Sequence, residues 1–253
     1  MADEGHVVLI HAFPLGARLW RPQRVAPLPR RKLLTPDLPG FGASTEPPAR
    51  SVEDMARAVL AELDAAGVRR AVIGGLSMGG YVTLALYRLA PERFAGMVLA
   101  DTRATADSDQ QREGRRRMIA TARDRGPSAV ADEMLPKLLG ETSQRERPEL
   151  AREVRDMIEE NRGETIAAAL EAMMGRPDST PLLAAIAVPT LVICGDEDTL
   201  TPPSDSEALH RGIAGSRLVV LSGAGHLSSL EAPQAFSDAL ASFLATIPGS
   251  SAD

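Results

Sequence analysis

The feature that most constrains the fold is the alternation of short, unbroken apolar runs with longer segments of helical periodicity. Strands that are apolar on both faces suit a parallel sheet, because each crossover connection lays a helix over one face. Six runs rich in Val, Leu and Ile have this character, at residues 7–11, 33–34, 71–73, 97–100, 191–194 and 218–221. They predict an α/β fold with a mostly or wholly parallel sheet of about six strands.

Helix signals fill the spaces between these runs. Ser51 with Asp54 three residues later is a capping-box pattern, and Gly67 is a stop signal for the same helix. The strand signals cease between the fourth and fifth runs, where charged sequence with helical spacing takes over. We therefore divide the chain into a core of residues 1–102 and 188–253 and an inserted helical cap of residues 103–187. A basic cluster in the insertion is interpreted as a solvated helix face, against the alternative of an anion site; its members are Arg112, Arg115, Arg116 and Arg117.

Charge and cysteine content restrict the classes of function. The chain has 253 residues, 34 Asp and Glu, 28 Lys and Arg, and a formal net charge of −6, which disfavours nucleic acid or an anionic membrane as a partner. The single cysteine, Cys194, excludes an internal disulfide and a cysteine-based zinc site. Residues 1–5 carry acids where a signal peptide is basic, and no apolar run approaches a membrane span. We expect a cytoplasmic protein without metal or cofactor.

The pentapeptide Gly75-Leu76-Ser77-Met78-Gly79 joins the third apolar run to a helix-like stretch. A serine at the apex of such a turn projects its hydroxyl into the open, and glycines flank it because side chains there would collide with the neighbouring strand and helix. The Met78 N–H, at the start of the helix, is then aimed at the place where a substrate oxyanion would form. The motif predicts a nucleophilic serine, against the alternative of an incidental one in a glycine-rich turn.

A serine nucleophile needs a base, and the chain offers four histidines. His226 follows the sixth apolar run and precedes the last helix, so we expect it at the carboxyl edge of the sheet, where the sites of parallel sheets assemble. His6 and His210 are interpreted as surface residues, and His11 as a structural hydrogen-bonding residue. His226 is therefore the candidate base.

The imidazole in turn needs a carboxylate that holds its tautomer. Asp198 is favoured among three acids after the fifth run, because it fits a Gly-x-x-Asp pattern with a proline four residues later. Asp196 is then a turn-forming residue that accepts local N–H groups. Asp101, at the end of the fourth run, stays open as a second position from which a carboxylate can reach the histidine.

Ser77, Asp198 and His226, in this order and these contexts, resemble the serine branch of the α/β-hydrolase family over most of the chain. Further landmarks of the resemblance are residues 11–16, residues 37–44, and Gly225-His226 followed by Glu231 and Pro233. The resemblance implies the α/β-hydrolase fold, with the helical cap over the serine. It is strongest toward small carboxylesterases and 3-oxoadipate enol-lactonases.

The same resemblance assigns the second oxyanion donor to the N–H of Phe13, beside that of Met78, with roughly 3 kcal/mol of transition-state stabilisation from each donor. Two departures stand out. Ala12 occupies a position where the family commonly has glycine. In addition, only six residues precede Val7, so the two antiparallel strands that usually open the fold are expected to be missing. The resulting free sheet edge leaves a homodimer open beside a monomer.

A serine at the turn favours acyl transfer, because the dehalogenases and epoxide hydrolases of the family carry aspartate there. We expect hydrolysis of a small carboxylic ester or lactone through an acyl-enzyme. Two alternatives stay open: a cofactor-free haloperoxidase or perhydrolase on the same residues, and a non-catalytic receptor for a small ligand. Trp20, Met173 and Met174 are candidate acyl-pocket residues, against the alternative that they are ordinary core.

Overall fold

A single parallel sheet organises the chain. The computed structural model describes residues 5–28 and 31–247. Within them, six strands lie in the order β2-β1-β3-β4-β5-β6, and every pairing is parallel. The strands are β1 (Gly5–Ile10), β2 (Arg31–Leu34), β3 (Ala71–Leu76), β4 (Phe94–Ala100), β5 (Thr190–Gly195) and β6 (Arg217–Leu221). The predicted α/β fold is confirmed, and each apolar run of the sequence overlaps one strand.

Burial explains why the strand sequences are unbroken. Every residue of β3 and of β5 is buried, since both strands lie inside the sheet and are covered on both faces. The strands at the two edges, β2 and β6, are only partly buried. The described residues contain no antiparallel pair, and the expectation about the chain before Val7 falls mainly on residues 1–4, outside the described range.

Helices connect the strands in the order that the sequence indicates. They are α1 (Arg21–Val25), α2 (Val52–Ala65), α3 (Met78–Leu89), α4 (Asp109–Leu138), α5 (Glu141–Glu146), α6 (Pro148–Glu159), α7 (Gly163–Met174), α8 (Pro203–Gly212), α9 (Ser228–Glu231) and α10 (Pro233–Leu244). Ser51 caps α2 by accepting a hydrogen bond from the Asp54 N–H at 3.0 Å. The left-handed Gly67, at φ 69°, follows the end of this helix.

The segment between β4 and β5 is helical, as expected. Helices α4 to α7 lie here, and α4 breaks at Gly126, where φ is 79° and ψ is −178°, just before Pro127. Helix α4 packs against α6 and α7, so these helices share an apolar interior. The boundaries of a separate cap at residues 103 and 187 stay a prediction. No helix in the described ranges combines the length and apolar character that a membrane crossing requires.

Four of the strands direct polar residues to one edge of the sheet. Ser77 follows β3, Asp101 follows β4, Asp198 follows β5 and His226 follows β6. Because the strands are parallel, their carboxyl ends lie along the same edge. The topology therefore brings together residues that are far apart in the sequence.

Candidate active site

Ser77 occupies a strained turn between β3 and α3. Its φ of 55° and ψ of −110° define a backbone conformation that residues other than glycine rarely adopt. A Cβ on Gly75 would lie 2.4 Å from the carbonyl carbon of Gly79, and a Cβ on Gly79 would lie 2.1 Å from the carbonyl oxygen of Ile10. The Thr102 hydroxyl donates to the Ser77 carbonyl at 2.8 Å and ties the turn to the end of β4. The glycines are thus required by close packing of the turn.

A continuous hydrogen-bonded chain joins the three residues selected from the sequence. Ser77 Oγ lies 2.8 Å from His226 Nε2, and His226 Nδ1 lies 2.8 Å from Asp198 Oδ2. His226 and Asp198 are 2% and 3% exposed, so bulk water does not compete for the bond between them. This arrangement leaves the imidazole with Nδ1 facing the carboxylate and Nε2 facing the serine hydroxyl.

The Asp198 carboxylate is surrounded by donors. Its Oδ1 accepts from the N–H groups of Leu200 and Thr201 at 2.8 and 3.0 Å, and its Oδ2 accepts from the Thr201 hydroxyl at 2.6 Å. Burial by itself raises the pKa of Asp198, but His226 and the Thr201 donors outweigh it and hold this pKa below its usual value. The group is therefore ionised at neutral pH. Thr201 was not selected from the sequence; its only signal is its place three residues after the aspartate.

Asp196 has a different role from Asp198. It is exposed, and its two oxygens accept from the Gly223 N–H at 2.7 Å and the Ser222 hydroxyl at 3.0 Å. These bonds tie the loop after β5 to the loop after β6. The expectation that Asp196 accepts local N–H groups is therefore wrong: its partners lie on a loop that is distant along the chain.

Asp101, the second acid that stayed open, braces the backbone around the site. Its Oδ1 accepts from the Gly195 N–H at 3.0 Å and its Oδ2 from the Ser228 hydroxyl at 2.5 Å. Burial and the neighbouring charge of Asp198 raise the pKa of Asp101 well above its usual value. In this arrangement, Asp101 connects the end of β5 to the start of α9, and Asp198 contacts the imidazole.

Replacing Asp101 by asparagine is expected to preserve ester hydrolysis within about threefold, because an amide can accept from Gly195 and donate to Ser228. The raised pKa stabilises the protonated, folded form at low pH, and this contribution is lost as the pH rises toward the folded-state pKa. The stability of the variant relative to the wild type should therefore increase as the pH rises above the ordinary aspartate pKa of about 4, measured by urea unfolding.

Asp101→Ala is the control, since it leaves the Gly195 N–H without its partner and should cost about 1–3 kcal/mol of unfolding free energy. A loss of activity in Asp101→Asn as large as that in Asp198→Asn would make Asp101 the partner of the imidazole.

The two expected oxyanion donors are the backbone N–H groups of Met78 and Phe13, and neighbouring structure holds both segments in place. Met78 is the first residue of α3, so its N–H has no acceptor within the helix. Phe13, which precedes a cis peptide bond to Pro14, follows the buried His11. His11 accepts from the Leu38 N–H through Nε2 and donates to the Ala12 carbonyl through Nδ1, each at 3.0 Å. Burial lowers the pKa of His11, which keeps it a neutral structural residue.

A cavity of ≈ 380 Å³ adjoins Ser77 and His226. Its apolar wall consists of Phe13, Tyr81, Met118, Met134, Leu170 and Met173. Of the three acyl-pocket candidates, only Met173 belongs to this wall. Trp20 is fully buried in the core, with its ring centroid 5.8 Å from that of Phe236. Met174 lies outside the wall because the next residue of a helix points about 100° away from its predecessor.

The interpretation of the basic cluster is wrong for Arg115. Arg116 and Arg117 are exposed, as expected for a solvated face. Arg115, however, lines the cavity, and its Nε donates to the buried Asp107 carboxylate at 2.5 Å. The helical spacing of the cluster carries no information about this distant partner, so the sequence alone does not separate Arg115 from its neighbours.

Other reactive groups in the described residues do not extend the site. Cys194 is buried inside β5, and burial raises the pKa of its thiol to about 11, so it is a poor nucleophile. In the part of the chain that the structure describes, no three His, Cys, Asp or Glu side chains are arranged to hold a metal ion.

Comparison with known proteins gives consistent results. The family model described as alpha/beta hydrolase fold matches residues 5–233. The 3-oxoadipate enol-lactonase 2 of Acinetobacter baylyi is 28% identical over 241 residues, which cover 94% of this chain and 88% of that protein.

Two solved structures are similar along nearly the whole chain. A thermophilic esterase from Thermogutta terrifontis, solved with malate bound, has a TM-score of 0.93 at 39% identity and covers 98% of this chain and 92% of its own. The enol-lactonase from Burkholderia xenovorans has a TM-score of 0.88 at 30% identity, with 96% and 92% covered. The parallel sheet, the serine turn at its carboxyl edge and these matches together show that the chain belongs to the α/β-hydrolase family.

Proposed function

We propose that the protein is a serine hydrolase that cleaves a small carboxylic ester or lactone through an acyl-enzyme on Ser77. The observation that carries this proposal is the chain of two 2.8 Å hydrogen bonds from Ser77 Oγ through His226 to Asp198, at the wall of a cavity. Such a chain raises the nucleophilicity of an otherwise weak hydroxyl.

In the acylation step, Ser77 Oγ attacks the carbonyl carbon of the ester while its proton passes to His226 Nε2. The negative charge of the tetrahedral intermediate falls on the former carbonyl oxygen, where the N–H groups of Phe13 and Met78 are the proposed donors. His226 then returns the proton to the leaving alkoxide oxygen as the carbon–oxygen bond breaks. For a lactone, the released hydroxyl stays attached to the acyl group.

In the deacylation step, a water molecule attacks the acyl carbon and gives a proton to His226 Nε2. The bond to Ser77 Oγ breaks, the proton moves to the serine oxygen, and a carboxylic acid is released. Asp198 remains ionised throughout, because its pKa lies below the usual value, and it stabilises the imidazolium that forms twice in the cycle.

The comparisons support the choice of substrate class. An esterase and enol-lactonases are among the proteins that are similar over nearly the whole chain, and both reactions are acyl transfers to water. The apolar wall around Met173 and Leu170 suits an acyl chain of modest size, given the cavity volume of ≈ 380 Å³.

A covalent probe tests this proposal directly. An alkyl fluorophosphonate should add once per chain, with loss of fluoride, and peptide mapping by mass spectrometry should locate the adduct on Ser77. Urea-unfolded protein is the control, since the reaction requires the folded hydrogen-bonded chain. Turnover of p-nitrophenyl esters or of lactones that persists after Ser77 is fully labelled, or an adduct on another residue that abolishes turnover, would contradict the proposal.

A further inference from the structure

The cavity beside Ser77 differs in charge from the rest of the protein. Among the described residues, three cationic side chains line it, Arg103, Arg115 and Lys137, and no aspartate or glutamate does. The whole chain has a formal net charge of −6, so this concentration of positive charge runs against the overall composition. A neutral ester requires no such lining, because its carbonyl is polarised by backbone donors.

Arg115 is held rigidly at the cavity wall. Its Nε and Nη2 donate to Asp107 at 2.5 and 3.3 Å, and its Nη1 lies 3.6 Å from the sulfur of Met173, another wall residue. The same Asp107 carboxylate also accepts from Arg176 Nη1 at 2.7 Å. One carboxylate therefore serves two guanidinium groups, and this buried cluster keeps a net positive charge.

The other two cations are even less compensated. Lys137 is exposed and has no hydrogen bond or ion pair with any described residue. Arg103 donates to the Leu200 carbonyl at 2.7 Å, and its closest approach to a carboxylate is 3.8 Å, to Asp205. Both side chains therefore have donors that remain to be satisfied by water or by a ligand.

We propose that the preferred substrate carries a free carboxylate in addition to its ester or lactone group, and that Arg115 and Lys137 determine this specificity. The inference rests on the proposed function, because it assigns the charge of a molecule whose acyl carbon reacts at Ser77. Asp107 accepts from Nε and Nη2 of the Arg115 guanidinium, and Nη1 contacts only the weakly accepting sulfur of Met173 among the described residues, so Nη1 is the nitrogen that a ligand in the cavity can use. A planar carboxylate matches such a donor, and positive charge at the entrance steers anions toward the serine.

Matched esters provide the test. Monomethyl esters of four- to six-carbon dicarboxylic acids are compared with the corresponding methyl ester amides, in which a neutral carboxamide replaces the free carboxylate. The wild type should favour the carboxylate member in kcat/KM by at least about tenfold, and this ratio should fall as ionic strength increases. Binding of the free dicarboxylate and of its monoamide to Ser77→Ala protein supplies a second measurement that requires no turnover.

Lys137→Gln should lower the carboxylate-to-amide ratio of kcat/KM about threefold, and Lys137→Glu should lower it by more. The matched controls are Lys32→Gln and Lys32→Glu, which change an exposed lysine of β2 that does not line the cavity. Both control variants should keep the wild-type ratio.

Two results would overturn the inference. One is turnover of the neutral members at least as fast as the carboxylate members; the other is a ratio that responds equally to changes at Lys137 and Lys32. Failure to hydrolyse any ester contradicts the proposed function instead, and the binding ratio in Ser77→Ala protein then still decides whether the cavity selects a carboxylate.

Discussion

Ser77→Ala is expected to lower kcat for ester hydrolysis by about 10⁶-fold, the scale of loss when a hydrolase loses its nucleophilic serine. The side chain supplies the oxygen that attacks the carbonyl carbon. Without this oxygen no acyl-enzyme forms, and neither His226 nor a water molecule at the same place takes over its role. The measurement is kcat with a p-nitrophenyl ester, accompanied by the thermal unfolding midpoint. Little change in stability is expected, because alanine removes only one hydroxyl from a turn whose backbone is held by its neighbours.

A nearby serine provides the matched control. Ser229 is fully buried in α9, three residues after His226, and its hydroxyl has no hydrogen-bond partner among the described residues. Ser229→Ala should therefore keep the wild-type kcat, because the substitution removes no hydrogen bond. If Ser77→Ala protein keeps more than about one hundredth of the wild-type kcat, another group attacks the substrate.

Asp198→Asn is expected to lower kcat by about 10⁴-fold. The amide can still accept from the Leu200 and Thr201 N–H groups through one oxygen, so the loop should keep its structure. Its NH₂ group would, however, donate to His226 Nδ1 and leave the ring proton on Nε2. An imidazole in that tautomer cannot accept the Ser77 proton. The check is kcat across pH 6–9 together with an unfolding curve.

Asp196→Asn makes the same chemical change two residues away. Asp196 is exposed and accepts from Gly223 and Ser222, contacts that an asparagine oxygen partly retains. The kcat of Asp196→Asn should stay within about threefold of the wild type, because Asp196 is exposed and its two hydrogen-bond partners carry no charge. Equal losses in the two variants would mean that loop structure, rather than the His226 tautomer, explains the effect.

Local patterns were sufficient for the elements and for the residues at the sheet edge. Unbroken apolar runs predicted the strands because burial on both faces permits no polar alternation. The Gly75 and Gly79 positions were interpretable because a tight turn excludes Cβ atoms, and the structure gives the clashing distances directly. Ser77, Asp198 and His226 lie in one hydrogen-bonded chain as proposed, because each follows a strand of the same parallel sheet.

The side chains around the cavity were predicted less well. Trp20 and Met174 are residue types that often line ligand pockets. In the structure, however, Trp20 packs against Phe236 in the core and Met174 does not line the cavity. Arg115 was assigned to solvent, whereas Asp107 holds it at the wall. Apolarity and helical spacing indicate that a side chain is buried, but they do not tell which surface buries it.

The amino-acid sequence by itself determined the α/β class and which serine, histidine and aspartate follow strands at one edge of the sheet, because these depend on local backbone requirements and on the parallel connection of strands. Only the tertiary structure decided that Thr201 supports Asp198, that Asp101 braces Gly195 and Ser228, and that cations surround the cavity. Some of these contacts join segments that are distant in the chain, and others depend on the direction in which a side chain points. Which side chains line the cavity depends on how the helices between β4 and β5 pack beside Ser77 and His226, and no local pattern encodes this packing.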